Sequence, residues 1–410
     1  MKIRSLFILG FLLFVTTLIA QDYRVDQQKV RSGLNEILTD LANRYVYLEE
    51  KGIDLDCIRE KYSQKIEQIQ SEEDIVLFFE YILDEFYDSH LILNTNRNQS
   101  YRLNVPIFAR TKDGKSIITQ VWQSQLENLE VNIIGAEILK MNGVPFARMI
   151  DQFPTSCQDK SKEEIRTWVG NKVLAGRYSE PRKLSLQLKN GQNYELDLDA
   201  LNYKLNNGLL QSEQREDIGI IRINNSLGNA YLIDVFDKAL DQLKDTRGLI
   251  LDLRNTVDGG NSYIARAIMG RFIEKDQPYQ KHRYVEDYGN HDPVVRSWVE
   301  YVSPRGETYK KPVVVLVGRW TGSMGEGMAI GFEGMGRAEI LGTEMERLAG
   351  SMQGFSFKYF GFGYRLSTEK LFHVNGTPRE KYVPTHYFSP DDIVGDQLLD
   401  KALELVKKGK

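Results

Sequence analysis

Hydrophobic and polar positions follow different periods in three successive parts of the chain. In residues 24–87 apolar side chains recur every three or four positions, which predicts amphipathic helices. The stripe that shows this best contains Val30, Leu34, Ile37, Leu38 and Leu41. Ser71 with Asp74 three residues later has the pattern of a helix start, and we expect that helix to end near residues 88–90.

Residues 101–200 contain short runs whose residue pattern is typical of β-strands. Residues 184–188 alternate and reach a Lys-Asn-Gly turn, so we expect a hairpin with residues 194–198. Residues 135–143 place another strand before an Asn-Gly turn. This part of the chain is therefore predicted to be rich in β-structure.

From about residue 204 strands alternate with helices, which predicts an α/β layered core. The predicted strands are 218–223, 248–253 and 313–317, and the predicted helices are 230–244 and 265–272. Residues 275–310 are polar and rich in Tyr, His and Pro, and we expect them to form a long surface excursion.

Length and composition fit a soluble protein of two or three domains, with 410 residues and 41% hydrophobic positions. The formal net charge is −4, and no basic stripe is present. We therefore expect no nucleic-acid partner.

Residues 1–20 have the pattern of an export signal, with Lys2 and Arg4 before an apolar run and a small residue, Ala20, at the cut. Cleavage would leave a periplasmic or secreted protein without an integral membrane segment. An uncleaved membrane anchor is the alternative, but the apolar run is shorter than the ~20 residues of a spanning helix.

The two cysteines, Cys57 and Cys157, leave their redox state open. Export would permit a disulfide between them, and two separate thiols are the alternative. No Cys/His spacing indicates zinc, and no metal or organic cofactor is expected.

Chemistry is indicated first by Ser323. A strongly apolar strand runs into a glycine-rich turn, and Ser323 opens the following helix, whose free N–H groups suit an oxyanion. The structural alternative is that Ser323 only caps the helix, because Glu326 three residues later completes a capping-box pattern. A second polar turn closes with Gly259-Gly260, whose N–H groups can face a ligand oxygen, although most such turns are only turns.

Together these segments resemble the C-terminal-processing, or tail-specific, serine peptidases. Residues 248–255 with Gly259-Gly260 resemble the family run G-L-I-L-D-L-R-N-N-x-G-G, and residues 312–326 resemble P-V-x-V-L-x…T-x-S-x-x-E. Residues 340–343 are similar to the segment that follows, so the resemblance covers about residues 204–405. Residues 135–143 partly resemble the core of a PDZ domain, with Ala136 where an acid is usual.

The family has two catalytic styles, and the sequence favours the one that resembles the tricorn core. A dyad lysine would stand about 25 residues after Ser323, where Leu348 is found. The other style uses an upstream His preceded by Ser, and a Glu near the C-terminus. Residues 88–90 and Glu380 are the matching positions.

The resemblance implies that Ser323 is the nucleophile and that His90 is the general base. Glu380 or Ser89, with Asp88 next in line, would hold the tautomer of His90. The N–H groups of Gly259 or Gly260 and of Met324 would bind the oxyanion. An acid limb of activity is expected near the ordinary imidazole pKa of roughly 6.5.

The fold implied is α+β and multidomain, with a ClpP/crotonase-like β-β-α spiral as catalytic core. The expected domains are a signal peptide (1–20), a helical N-terminal domain (21–100), a PDZ-like domain (101–203) and the peptidase core (204–410). The partner would be a peptide or protein substrate, recognised at its C-terminus by the middle domain. The oligomeric state stays open.

Departures from the family pattern keep a second function open. Tyr382 replaces the usual Gly of the tail motif, and Thr385 replaces the usual Asp. A catalytically inactive peptide-binding protein on the same fold is the alternative. His282 and His291 are expected at the surface, whereas His373 and His386 are alternative bases.

Overall fold

The described part of the chain comprises residues 25–204, 208–287, 289 and 291–409 of a computed structural model. The predicted export signal, residues 1–20, lies outside the described residues. Within the described ranges, the chain forms no helix with the length and apolar character needed to span a bilayer.

The N-terminal part is helical, as its 3.6-residue period predicts. Ser71 and Asp74 form the predicted capping box, and the helix ends at Asp84, four residues earlier than the expected residues 88–90. The helices do not have a core of their own, because they pack on Phe357, Tyr364 and other residues from the C-terminal part. The elements are α1 (Gln27–Arg44), α2 (Leu48–Lys51), α3 (Leu55–Lys65), α4 (Glu72–Asp84) and the short strand β1 (Ile92–Leu93).

The middle part is an antiparallel sheet with two helices. Its strand order is β2-β3-β4-β6-β7, with β5 beside β4. The predicted hairpin is confirmed, since Leu186 pairs with Tyr194, and the Asn-Gly turn joins β4 to β5. The elements are β2 (Ile107–Lys112), β3 (Lys115–Val121), β4 (Glu137–Met141), β5 (Val144–Pro145), α5 (Phe146–Asp151), α6 (Glu163–Ala175), β6 (Lys183–Gln187) and β7 (Asn193–Asp197).

The C-terminal part is built on a mixed sheet with the order β17-β14-β13-β10-β9-β8, in which only the edge strand β8 is antiparallel. β10 and β13 are buried along their whole length, because helices cover both faces of the sheet. The elements are β8 (Leu210–Arg215), β9 (Ile218–Ile223), α7 (Leu232–Gln242), β10 (Gly248–Asp252), α8 (Ser262–Met269), β11 (Gln277–Glu286), β12 (Val294–Val302), β13 (Val313–Val317), α9 (Met324–Gly334), β14 (Glu339–Gly342), β15 (Ser351–Ser356), β16 (Gly363–Phe372), β17 (His386–Tyr387) and α10 (Gln397–Lys408).

The surface excursion expected over residues 275–310 is largely exposed on its second strand but consists of regular β-structure. This segment forms the long hairpin β11–β12 in a second sheet of order β1-β16-β11-β12, with β15 beside β16. β12 is largely exposed although it carries Val294, Val295, Val299 and Tyr301, so it lacks the alternation of apolar and polar residues that marks a half-buried strand. Pairing of β1 with β16 also fixes the chain just after His90 to the C-terminal part.

A disulfide joins Cys57 and Cys157, with a Cα–Cα distance of 5.9 Å across 100 residues of sequence. The bridge links α3 of the helical part to the loop that precedes α6 of the middle part. Glu85 reinforces this junction by accepting the N–H groups of Ser156 and Cys157 at 2.8 and 2.9 Å. The question that the sequence left open is therefore answered in favour of pairing.

Candidate active site

Ser323 stands in a strained turn between β13 and α9. Its φ is +47°, a conformation that costs free energy for a residue with a side chain. Gly259, at φ +64°, lies directly against it: a methyl group built on Gly259 would be 2.4 Å from Cβ and 3.0 Å from Oγ of Ser323. Only glycine fits at this approach, and the Gly259-Gly260 turn therefore faces the nucleophile candidate, as expected.

The two turns are held together by backbone and threonine hydrogen bonds. Thr256 and Thr321 form a parallel bridge, and both hydroxyls donate to the carbonyl of Leu253, at 2.8 and 3.0 Å. Gly322 N–H donates to the Thr256 carbonyl at 3.2 Å. The position of Ser323 is thus fixed by the ends of two neighbouring parallel strands, β10 and β13.

The N–H groups of the Ser323 turn and of the Gly259-Gly260 turn differ in whether they have an acceptor. Gly259 N–H donates to the Thr256 carbonyl at 3.0 Å and is occupied. Among the described residues, no acceptor is found for the N–H of Gly260 or of Met324. Of the alternatives left open by the sequence, Gly260 with Met324 therefore fits an oxyanion site better than Gly259.

Glu326 ties this turn to a distant segment. Its fully buried carboxylate accepts N–H groups of Ser323 and Arg347 at 2.9 Å and of Leu348 at 3.2 Å. Burial raises the pKa of Glu326 to about 7, although the charge of Arg379 and the backbone hydrogen bonds oppose the shift. The carboxylate predicted as part of a capping box thus holds both Ser323 and the segment 347–348.

His90 is buried and has one ring nitrogen without a partner. Its Nδ1 lies 2.8 Å from the Ala349 carbonyl, which fixes the proton on Nδ1, and Nε2 makes no hydrogen bond. Burial, followed by the charge of Arg379, lowers the pKa of His90 to about 4. The imidazole is therefore neutral at physiological pH, with a free lone pair on Nε2.

One short segment, residues 346–350, connects these parts. Its Leu348 N–H binds Glu326, and its Ala349 carbonyl binds His90. Glu326, which also accepts the Ser323 N–H, and His90 therefore bind neighbouring residues of the same segment. The structure contains no direct hydrogen bond between Ser323 and His90.

The expected partners of His90 differ in the structure. Ser89 Oγ accepts Trp168 Nε1 at 3.2 Å and so is directed to the middle part, and Glu380 makes no hydrogen bond to the imidazole. A main-chain carbonyl takes that place, because Ala349 passes directly beside Nδ1. Asp88 supports the loop instead, by accepting the His90 backbone N–H at 2.9 Å.

Glu380 has a buried oxygen, Oε2, that has no partner. Burial raises the pKa of this carboxyl group, and its negative charge in turn helps to raise the pKa of the neighbouring Tyr47, after burial. Tyr47 also packs against Gly350, whose carbonyl accepts Arg379 at 2.8 Å. Glu380 is thus near the 346–350 segment but not in contact with the base.

The remaining histidines do not contact Ser323. The expectation that His282 lies at the surface is wrong: it is buried, stacks on Trp298, and contacts Glu369 and Glu300. His291 is exposed as expected. The alternative bases His373 and His386 pair with glutamates elsewhere.

A buried charge network lies under the Gly259-Gly260 turn. Asp252 binds Arg254 and Arg222, each at 2.7 Å, and Arg254 also binds Asp396 at 2.8 Å. Burial alone would raise the pKa of Asp252, but the two arginines hold it well below its usual range. The network keeps the strand end rigid and leaves Ser323 outside it.

The middle part docks beside the nucleophile turn through two tryptophans. Trp122 and Trp320 stack with centroids 5.3 Å apart, and Trp122 Nε1 donates to the Arg254 carbonyl and to Asn255 at 3.1 Å.

Among the described residues no group of three or more His, Cys, Asp and Glu side chains could hold a metal ion.

Two sequence models of known protein families match the chain. The sequence model of peptidase family S41 matches residues 217–391, and that of the tricorn protease C1 domain matches residues 26–84. Both matches support a C-terminal-processing serine peptidase of family S41.

Solved structures support the same fold. Mature CPAF is similar over 93% of this chain and 96% of its own, with 15% identity and a TM-score of 0.62. The photosystem II D1 C-terminal processing protease is similar over 89% of this chain and 96% of its own, with 15% identity and a TM-score of 0.55. Comparison with the curated proteins gives no match.

Proposed function

We propose that this protein is an exported endopeptidase that cleaves peptide bonds through an acyl-enzyme on Ser323. The observation that carries the proposal is the strained Ser323 turn, which packs against Gly259 and continues into Met324, whose N–H group has no acceptor among the described residues. A capping serine needs no such strain, whereas a nucleophile that must face a substrate carbonyl does.

In this mechanism His90 Nε2 accepts the proton of Ser323 Oγ while Oγ attacks the substrate carbonyl carbon. The carbonyl electrons move to oxygen, which the N–H groups of Gly260 and Met324 stabilise. His90 then gives its proton to the leaving amine as the C–N bond breaks. Water, deprotonated by the same nitrogen, hydrolyses the ester and restores Ser323.

The orienting role falls in this proposal to the Ala349 carbonyl. Its 2.8 Å contact with Nδ1 leaves Nε2 as the basic nitrogen. Glu380 acts only at a distance, as a charge near Arg379 that favours the imidazolium. The single charge of a carboxylate is therefore not required to fix the tautomer of His90.

Three further features of the proposal concern architecture and location. The antiparallel sheet and two helices of residues 101–203 support a PDZ-like domain that adds a substrate C-terminus as a strand. We also propose a ClpP/crotonase-like spiral for residues 204–410. The Cys57–Cys157 bridge and the pattern of residues 1–20 support export to the periplasm or medium.

A fluorophosphonate probe tests the proposal on the folded protein. We expect labelling of the wild type and of Ser212→Ala, an exposed control, and no labelling of Ser323→Ala. Equal far-UV circular dichroism and melting curves would exclude misfolding as the cause. Absence of labelling in folded wild-type protein would favour the inactive peptide-binding alternative.

A further inference from the structure

Two side chains of α6 close the outer edge of β2. β2 is the outermost described strand of the middle sheet on this side, so its backbone groups that face away from β3 form a strand edge. Ala109 N–H donates to Asn171 Oδ1 at 3.0 Å, and Asn171 Nδ2 donates to the Ala109 carbonyl at 2.8 Å. Thr111 N–H donates to Thr167 Oγ1 at 3.0 Å. The β2 edge is therefore satisfied by a helix and not by another strand.

The Asn171 amide reproduces the contact that an added strand would make. In an antiparallel ladder, a hydrogen-bonded residue pair exchanges two N–H···O bonds, and Asn171 exchanges two such bonds with Ala109. Its Nδ2 group also donates to the Thr167 carbonyl at 2.7 Å, which fixes the orientation of the amide. A peptide strand and the side chains of α6 therefore compete for the same backbone groups of β2.

The start of β2 lies beside the nucleophile turn. Trp320 Nε1 donates at 3.0 Å to the carbonyl of Val105, two residues before the strand. The Cζ atom of Arg319 lies 4.3 Å from the ring centroid of Phe108. Since both donors belong to the turn that leads to Ser323, events at the β2 edge take place next to the segment that carries the nucleophile.

The same helix also holds the loop that carries the base. Trp168 Nε1 donates to the Oγ atom of Ser89, the residue before His90, at 3.2 Å. Lys172 pairs with Asp84, the last residue of α4, at 3.0 Å. α6 is thus the element that contacts the β2 edge and the His90 loop at once.

A cavity of about 90 Å³ lies where these parts meet, and it is lined by Trp168, Asn171, Ser89 and Trp320 among others. Close packing opposes the movement of a helix, and a cavity at this boundary removes part of that packing. While α6 closes the edge, Nε2 of His90 has no hydrogen-bond partner, and the catalytic pair is not assembled.

We propose that α6 is a latch on the β2 edge, and that an extended peptide segment of the substrate opens it. The peptide backbone takes over the β2 groups that Asn171 and Thr167 bind in this structure. The displaced helix releases Ser89, and His90 then approaches Ser323. The inference rests on the proposed function and adds its regulation, because a strand bound at β2 switches on the catalytic pair.

Variants of α6 that cannot hold the edge test the latch. Asn171→Ala and Thr167→Val should each raise kcat/KM by at least about fivefold for a chromogenic peptide that is too short to pair with β2. Thr167→Ser keeps the hydroxyl group, and Glu164→Ala changes an exposed residue of the same helix, so both should stay within about twofold of wild type. Residues with a purely structural role would lower turnover when they are replaced.

Peptide binding tests the occupant of the edge without relying on catalysis. The probe is a short Val/Thr peptide, and its matched control is N-methylated at every residue, so that it has no N–H group to pair with a strand edge. Calorimetry with Ser323→Ala should detect binding of the probe and not of the control. Adding Asn171→Ala should lower the Kd of the probe by at least about fivefold, because the probe no longer has to displace the amide.

Circular dichroism and melting curves establish which variants are folded, and if one of the two latch variants misfolds, the other decides. Wild-type or lower turnover in a folded latch variant would overturn the proposal, and so would failure of the probe to bind. If fluorophosphonate never labels Ser323 of the wild type, the proposed function fails, whereas the binding measurements still test the latch.

Discussion

Replacement of Glu326 tests whether the geometry of the nucleophile turn depends on one buried carboxylate. In Glu326→Gln the side chain keeps a single acceptor oxygen for three N–H groups. If that oxygen takes the position of Oε2, it serves Ser323 and Leu348, and the new amide group faces the Arg347 N–H, donor against donor. At least one buried N–H group then has no acceptor in either orientation.

The magnitude follows from that count. An unsatisfied buried donor costs about 1–3 kcal/mol, so Glu326→Gln should lower the free energy of unfolding by about 2 kcal/mol, and Glu326→Ala by about twice as much. Because Ser323 N–H loses a charged acceptor, we also expect kcat/KM to fall by at least about tenfold. Burial raises the pKa of Glu326 to about 7, so the comparison is made at pH 8, where the carboxylate is ionised.

Urea unfolding followed by fluorescence, together with peptide hydrolysis, measures both effects. Glu404→Gln, at an exposed position of α10, is the matched control and should change neither value by more than about 0.5 kcal/mol. The reasoning would be refuted by a Glu326→Gln protein with wild-type stability and wild-type turnover.

Three further outcomes are expected. Burial lowers the pKa of His90 to about 4, so the acid limb of kcat/KM should lie well below the ordinary imidazole pKa of about 6.5. The free energy of unfolding should also decrease as pH falls from about 6.5 to 4, because the unfolded chain binds the proton more strongly in this range. An acid limb at 6.5 in folded enzyme would contradict this. Reduction of Cys57–Cys157 should lower the free energy of unfolding by about 2–5 kcal/mol, measured with and without dithiothreitol; equal curves would contradict it. Lys358→Ala and Lys370→Ala should keep wild-type kcat, and a folded but inactive variant of either would restore a Ser-Lys mechanism.

Residue patterns predicted the strand, turn and helix around Ser323 because the determinants of this geometry are local. An apolar parallel strand, a glycine-rich turn and Glu326 three residues after Ser323 all lie within one short stretch. The sequence also indicated the close packing of Gly259 against Ser323, because two consecutive glycines end the neighbouring turn.

Other features were not predictable, for physical reasons. The partner of His90 is a main-chain carbonyl 259 positions away, and a carbonyl leaves no residue preference in the sequence. The β11–β12 hairpin was missed because its exposed strand β12 carries apolar side chains, such as Val294 and Tyr301, outside the alternation expected of a half-buried strand.

The most direct test of the central claim is acid-quenched mass spectrometry of the enzyme during turnover of an activated ester or peptide. The account predicts an acyl adduct that maps to Ser323, accumulates before steady state, and is absent from Ser323→Ala. His90→Ala should form the same adduct far more slowly. Turnover by folded Ser323→Ala, or an adduct on any other residue, would contradict the account.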